Sequence, residues 1–179
     1  GRIAFSGGRP AALISIRLAR RLDPNSAIIR AREGTVLYFR HRFADAATVL
    51  ENALVADSGN MFARRQLIAD YADGGQCGAV MRLLPQISPT PEQLENSFTS
   101  YALARCGDTA RARAFVDTLE AHAAQGAYVD PYATARVYAA LGDTARAWPW
   151  LDRAVTAGVW ELWQLRSDPA FRTLRADPR

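Results

Sequence analysis

The chain has 179 residues, a net charge of +4 and 49% hydrophobic side chains, enough for one folded domain or short repeat array whose core needs no disulfide staples. Its 22 basic residues are scattered rather than gathered in a stripe, which argues against nucleic-acid binding. No apolar run approaches the roughly 18 residues of a membrane span, which excludes membrane insertion by a helix.

Lys is absent, so every basic residue is Arg, and Ala is very frequent. Both residues favour helix. The bias reads as the mark of a GC-rich bacterial genome. The opening "GRIAFSGGRPAALISIRLARR" is broken by Gly, Pro and Arg and makes a poor signal peptide. The expected compartment is the cytoplasm, with the periplasm as the alternative. "PAALISIRLARRLDPNS" reads as a helix with Ala12, Ile16 and Ala19 on one face, closing at Pro24. It looks like the second half of a hairpin whose first helix is missing. A fragment of a longer protein is therefore expected, with that face covered by an upstream helix or by self-association of the truncated repeat.

From residue 27 onward the chain repeats itself. "GDTARA" stands at Gly107–Ala112 and again at Gly142–Ala147, an offset of 35. The last Ala of the phrase has counterparts at Ala46 and Ala79, so that small residues recur at 46, 79, 112 and 147. Apolar residues follow at i+4 and i+7 (Leu50 and Ala53, Val116 and Leu119, Leu151 and Ala154), which places them on one helix face. Twelve residues before three of these Ala positions stand Gly34, Ser100 and Ala135, small enough for two antiparallel helices to approach closely. "DPNS" at Asp23–Ser26, "TPEQ" at Thr90–Gln93 and "VDPY" at Val129–Tyr132 supply helix starts. Asp45, Asp108 and Asp143 recur at the turn and read as helix caps. The copy around residues 61–92 is weak: Leu67 replaces the small residue, and Pro85 shortens the second helix, leaving Ser88–Pro91 as a connector.

A period near 34, a small residue in the first helix and Ala in the second resemble the tetratricopeptide (TPR) repeat. The resemblance implies an all-α, right-handed solenoid of antiparallel helix–turn–helix repeats. A partial repeat at 1–26 would precede repeats at 27–60, 61–92, 93–127 and 128–161, with a C-terminal capping helix over 162–179. It also implies a concave face lined by first-helix residues. Carried onto this chain, the set includes Ile28, Thr35, Tyr38, Phe39, Arg64, Ile68, Tyr71, Leu94, Tyr101, Arg105, Val129, Tyr132 and Arg136. Tyr38, Arg64, Tyr71, Tyr101, Arg105, Tyr132 and Arg136 are the expected contacts, with Tyr71 the one closest to a core role. Rings and forked guanidinium groups suit a peptide or helix bearing carboxylates. The Lys and Asn set of the carboxylate-clamp members is missing here. The ending is similar to TPR regions of bacterial multidomain regulators.

At the C-terminus, Val159, Leu162, Trp163 and Leu165 form an apolar face, read as a cap with Trp160 and Trp163 packing near Trp148 or Trp150. The alternative is an aromatic ligand pocket made by those four indoles. Cys77 and Cys106, 29 residues apart, are read as free thiols. His41 at a turn and His122 on a helix are read as surface residues, and neither stands in a metal-ligand spacing. No catalytic constellation, metal site or cofactor motif emerges. The expected function is a non-catalytic protein-interaction module; the alternative is a ligand-sensing domain of a regulator or signalling enzyme.

Overall fold

A computed structural model describes residues 10–86 and 97–176. Among them every regular element is helical and none is a strand. The α-helices are α1 (Pro10–Leu22), α2 (Ala27–Tyr38), α3 (Phe43–Ala56), α4 (Met61–Asp73), α5 (Cys77–Leu83), α6 (Ser97–Arg105), α7 (Thr109–Ala124), α8 (Pro131–Ala140) and α9 (Thr144–Ala157). Short 3-10 turns follow α5 and occupy Trp160–Gln164, Pro169–Phe171 and Leu174–Ala176. The "TPEQ" start, the Ser88–Pro91 connector and Leu94 lie outside the described residues.

The helices begin where side chains can satisfy their free N–H groups. Ser26, Asn60, Asp108, Asp130 and Asp143 each accept a backbone N–H from the first turn, and each such cap contributes about 0.5–2 kcal/mol. Asp45 does not share this role. It stands inside α3 and pairs with Arg42 at 2.6 Å, because Arg42 takes the cap position in that hairpin. The repeated turn has a fixed backbone requirement: Gly75, Gly107 and Gly142 have φ of +75°, +84° and +75°, and His41 takes the same place at +57°. Gly at this place therefore avoids the Cβ strain that His41 carries.

Successive helices interlock through the small residues. A Cβ on Gly34 would lie 2.5 Å from Leu50 Cγ, so α2 and α3 meet closer than any side chain on Gly34 would allow. Ser100 fills the same place in α6 and donates from Oγ to the Ala112 carbonyl of α7 at 3.0 Å. Ala46, Ala112 and Ala147 are fully buried at these crossings; in the seven-residue α5 the fully buried residue is Val80, five after Gly75, and Ala79 is only half-buried. Helices α2, α4, α6 and α8 then pack one on the next.

Three expectations are corrected. Cys77 and Cys106 form a disulfide with Cα atoms 5.5 Å apart, because the α4–α5 turn stacks against the end of α6. The C-terminal cap is no single helix: Gly158, at φ +64°, ends α9 and redirects the chain into the three 3-10 turns. Ala170, Phe171 and Leu174 seal the array from there, with the Phe171 ring edge-on to Tyr132 at 5.3 Å. Trp163 packs on Phe39 at 5.7 Å, and Trp160 stays 64% exposed. Finally, α1 buries Leu13 and packs Ile16 onto the core, so of the expected face Ile16 and Ala19 are partly covered and Ala12 is exposed, and the large apolar residues left in water are Ile14, Leu18 and Leu22.

Candidate functional site

Five of the seven expected contact residues converge on one network along the first helices of the hairpins. Tyr38 ends α2, Tyr101 and Arg105 lie one turn apart on α6, and Tyr132 and Arg136 repeat that spacing on α8. Two carboxylates hold them. Asp73, the last residue of α4, accepts the Tyr38 hydroxyl at 2.6 Å, the Tyr101 hydroxyl at 2.8 Å and Arg105 Nε at 2.8 Å. Asp168, before the 169–171 turn, accepts the Tyr132 hydroxyl and the Ala170 N–H, each at 3.0 Å.

Arg136 joins the two halves. Its Nη2 donates to the Tyr38 hydroxyl at 3.0 Å, and its Nε lies 2.9 Å from Asp168 Oδ2 but off the N–H axis, an ion pair rather than a hydrogen bond. The guanidinium also stands 4.3 Å from the Tyr101 ring centroid, a cation–π contact. The result is a continuous line, Asp168–Arg136–Tyr38–Asp73–Arg105, running from the C-terminal turns to the end of α4 and α6.

This network is nearly dry. Tyr38, Tyr101, Tyr132 and Asp168 are buried, and the Arg136 side chain is 11% exposed. A lone guanidinium at such a depth is prohibitively costly, so the paired carboxylates are a condition of its burial. Burial, followed by the neighbouring Tyr101, pushes the Tyr38 hydroxyl well above its ordinary range. Tyr101 rises by burial first, and Tyr132 by burial and then by Asp168. For Arg136 burial pulls downward, yet Asp168 and the tyrosines hold it well above the usual arginine value. The tyrosines thus stay neutral and the arginine charged. The expected open groove is here filled by its own lining, with Arg105, at 32% exposure, as the member nearest water.

Arg64 and Tyr71 stand apart from this line. Arg64 Nη2 donates to the Ser58 carbonyl at 2.6 Å, and the Tyr71 hydroxyl donates to Glu51. Beside Tyr71, Asp70 is buried without a hydrogen bond of normal geometry. Burial first, then the charges of Asp73 and Glu51, push its carboxyl up to about 8. His41 is exposed at its turn, and among the described residues no group of three His, Cys, Asp or Glu side chains is placed to hold a metal.

Trp150 and the Trp160–Trp163 pair have different partners. Trp150 donates its indole N–H to Glu120 at 3.3 Å, and Arg153 stacks on its ring at 4.5 Å. These residues, with Arg146 and Pro149, line a concavity of about 290 Å³ between α7 and α9. Trp160 and Trp163 form a separate tilted pair, 6.4 Å apart, beside Phe39.

Known proteins offer no template: the chain matches no family model, no curated protein and no solved structure. The arrangement itself has to carry the reading. Asp73 and Asp168 were missed in the sequence because one ends a helix, the other precedes a short turn, and neither repeats at the period. The available signal was the doubled Tyr-x-x-x-Arg, "YALAR" at 101–105 and "YATAR" at 132–136, which demands acceptors for two stacked cations.

Proposed function

We propose that this chain is a non-catalytic protein-interaction module, a right-handed solenoid of TPR-like hairpins that holds an acidic peptide or helix of a partner protein. The observation that carries this reading is how the polar and apolar groups are divided. The inner Arg and Tyr residues are spent on the chain's own carboxylates, which fixes the hairpins to one another as a platform. Large apolar side chains remain in water on α1 (Ile14, Leu18 and Leu22) and on the Trp160–Gln164 turn (Trp160 and Trp163). Exposed apolar surface rimmed by polar groups marks interaction sites, and Trp and Arg are typical anchors. On the inner side, contact with a partner would run through the rim residues Arg105 and Arg64 rather than through the buried tyrosines.

The lack of Lys makes amine-reactive crosslinkers unsuitable, so the test places a photo-crosslinking residue at Leu18, Arg64 or Trp163 and expresses the chain in its native host. The expected result is a defined protein adduct from one of these positions and none from a control position on buried α8. Absence of adducts from all three, together with turnover of a compound from a substrate panel, overturns the module reading.

The concavity at Trp150 favours a second reading, a ligand-sensing domain, because an aromatic face and two guanidinium groups meet there. A small molecule that quenches tryptophan fluorescence in the wild type but not in Trp150→Phe is its expected signature; quenching by every hit in both proteins removes it.

A further inference from the structure

The N-terminal end holds a surplus of positive charge next to an uncovered apolar stripe. Ile14, Leu18 and Leu22 are 67%, 56% and 81% exposed. Spaced by four residues, they run down one side of α1 over about 12 Å, or two helical turns. At about 100° per residue, Arg21 and Arg17 fall along one edge of that stripe. Arg21 also forms a wall of a concavity of about 520 Å³ that is lined by Arg20, Arg21, Pro24, Arg30, Val49 and Asn52.

The charges here are poorly matched. Glu33, itself buried, takes both Arg20 at 2.8 Å and Arg17 at 3.5 Å. Arg30 donates only to carbonyls, of Pro24 at 2.7 Å and Asn52 at 3.2 Å, and Arg21 has no hydrogen bond or ion pair among the described residues. No carboxylate lines the concavity. Glu33 thus takes two of these four guanidinium groups, and Arg21 and Arg30 have no carboxylate partner among the described residues, whereas in the inner network Arg105 and Arg136 each have their own.

We infer that this end is a docking surface for an acidic amphipathic helix of a partner protein, whose apolar side lies along Ile14, Leu18 and Leu22 and whose carboxylates reach Arg21 and Arg30. The inference rests on the interaction-module reading above and names its surface and partner. Charge decides between occupants. The chain's own residues 1–9 carry two Arg and no carboxylate, so they add to the surplus instead of neutralising it. A second copy docking stripe to stripe brings α1 against α1, a helix with three Arg and no acidic residue. A flat anionic membrane matches the charge but does not fill a concavity, whereas a Glu or Asp side chain does.

The test uses the whole chain and a display library of helical peptides, each about 18 residues long, with Leu fixed at helical spacing and the polar positions drawn from Glu, Gln, Lys and Ser. Selected peptides are expected to be rich in Glu and to lose about tenfold or more in affinity to Arg21→Ser and to Leu18→Ser, with the melting temperature unchanged. Selected peptides without an acidic excess, or indifferent to both variants, overturn the surface while leaving the module reading intact. Arg21-dependent sedimentation with phosphatidylserine vesicles and no selected peptide assigns the surface to membrane and also overturns it. So does a concentration-dependent dimer that Leu18→Ser abolishes. If no peptide, vesicle or self-association is found, this surface is refuted, and the module reading then stands or falls on the photo-crosslinking at Arg64 and Trp163.

Discussion

Arginine is used in two opposite ways in this molecule, inside the network of first helices and on the surface of α1. Around Arg136 every guanidinium meets a carboxylate or a ring, and the side chains are locked and dry. Around Arg21 the guanidinium groups outnumber the carboxylates, and the neighbouring Ile14, Leu18 and Leu22 stay in water. The same residue type is structural where its counter-charge is internal and recruiting where its counter-charge is missing. The two sets cannot be told apart by composition, since both combine Arg with large apolar neighbours. They differ in where the carboxylates stand.

The sharpest way to break the comparison is to remove a charge from the inner set. Arg136→Met keeps the volume but leaves Asp168 ionised and buried without its cation. The expected loss is about 3–5 kcal/mol, read as a lower urea midpoint with the slope unchanged. A loss below about 1 kcal/mol would mean that the inner network is as dispensable as a surface pair. Replacing Arg105 or Arg136 by Glu would be no test of binding for the same reason, since each Glu would stand against Asp73 or Asp168 and destabilise the fold itself.

Next in size is the disulfide. Cys106 follows Arg105, and Cys77 lies four residues after Asp73, so the covalent bond and the ion pair tie the same two hairpins together. The Cys77→Ser, Cys106→Ser double variant is expected to lose about 2–4 kcal/mol, the usual worth of a bond closing a loop of this length. Mass spectrometry after alkylation of the unreduced protein is expected to show no free thiol.

A third test concerns Asp70, whose folded carboxyl titrates near 8 against about 4 in the unfolded chain. The folded state therefore binds more protons between these values, and Asp70 costs the fold nothing below about pH 4. Stability falls as the pH rises toward 8 and levels off above it. Asp70→Asn is expected to flatten that slope and to stabilise the protein by about 1–3 kcal/mol above pH 8. Parallel pH curves for the wild type and the variant would show that Asp70 stays solvated.

Much of the helical layout was legible in the sequence, because Gly34, Ser100, Ala112 and Ala147 sit at crossings where only a small residue fits. That constraint is local and periodic, and a sequence displays it. The pairing of Cys77 with Cys106, and of Arg136 with Asp168, depends on how hairpins stack. Such contacts span residues far apart and carry no period, so the thiols read as free and the arginines as groove-facing. The exposed stripe of α1 was misread for a related reason: Ile16 and Ala19 have helical spacing as good as that of Ile14, Leu18 and Leu22, and only the position of α2 decides which of them is covered.

The smallest expected effect is on the outer set, and it is the one that separates recruiting residues from structural ones. Arg21→Ser and Leu18→Ser remove side chains that touch little, so each is expected to change stability by no more than about 0.5 kcal/mol. Leu18→Ser also takes an exposed apolar group out of water, which offsets any loss of helix propensity. If either variant melts more than a few degrees below the wild type, that side chain is buried against part of the same molecule in solution. The N-terminal end would then be a second core region instead of a surface awaiting a partner, and its surplus of arginine would need an internal carboxylate after all.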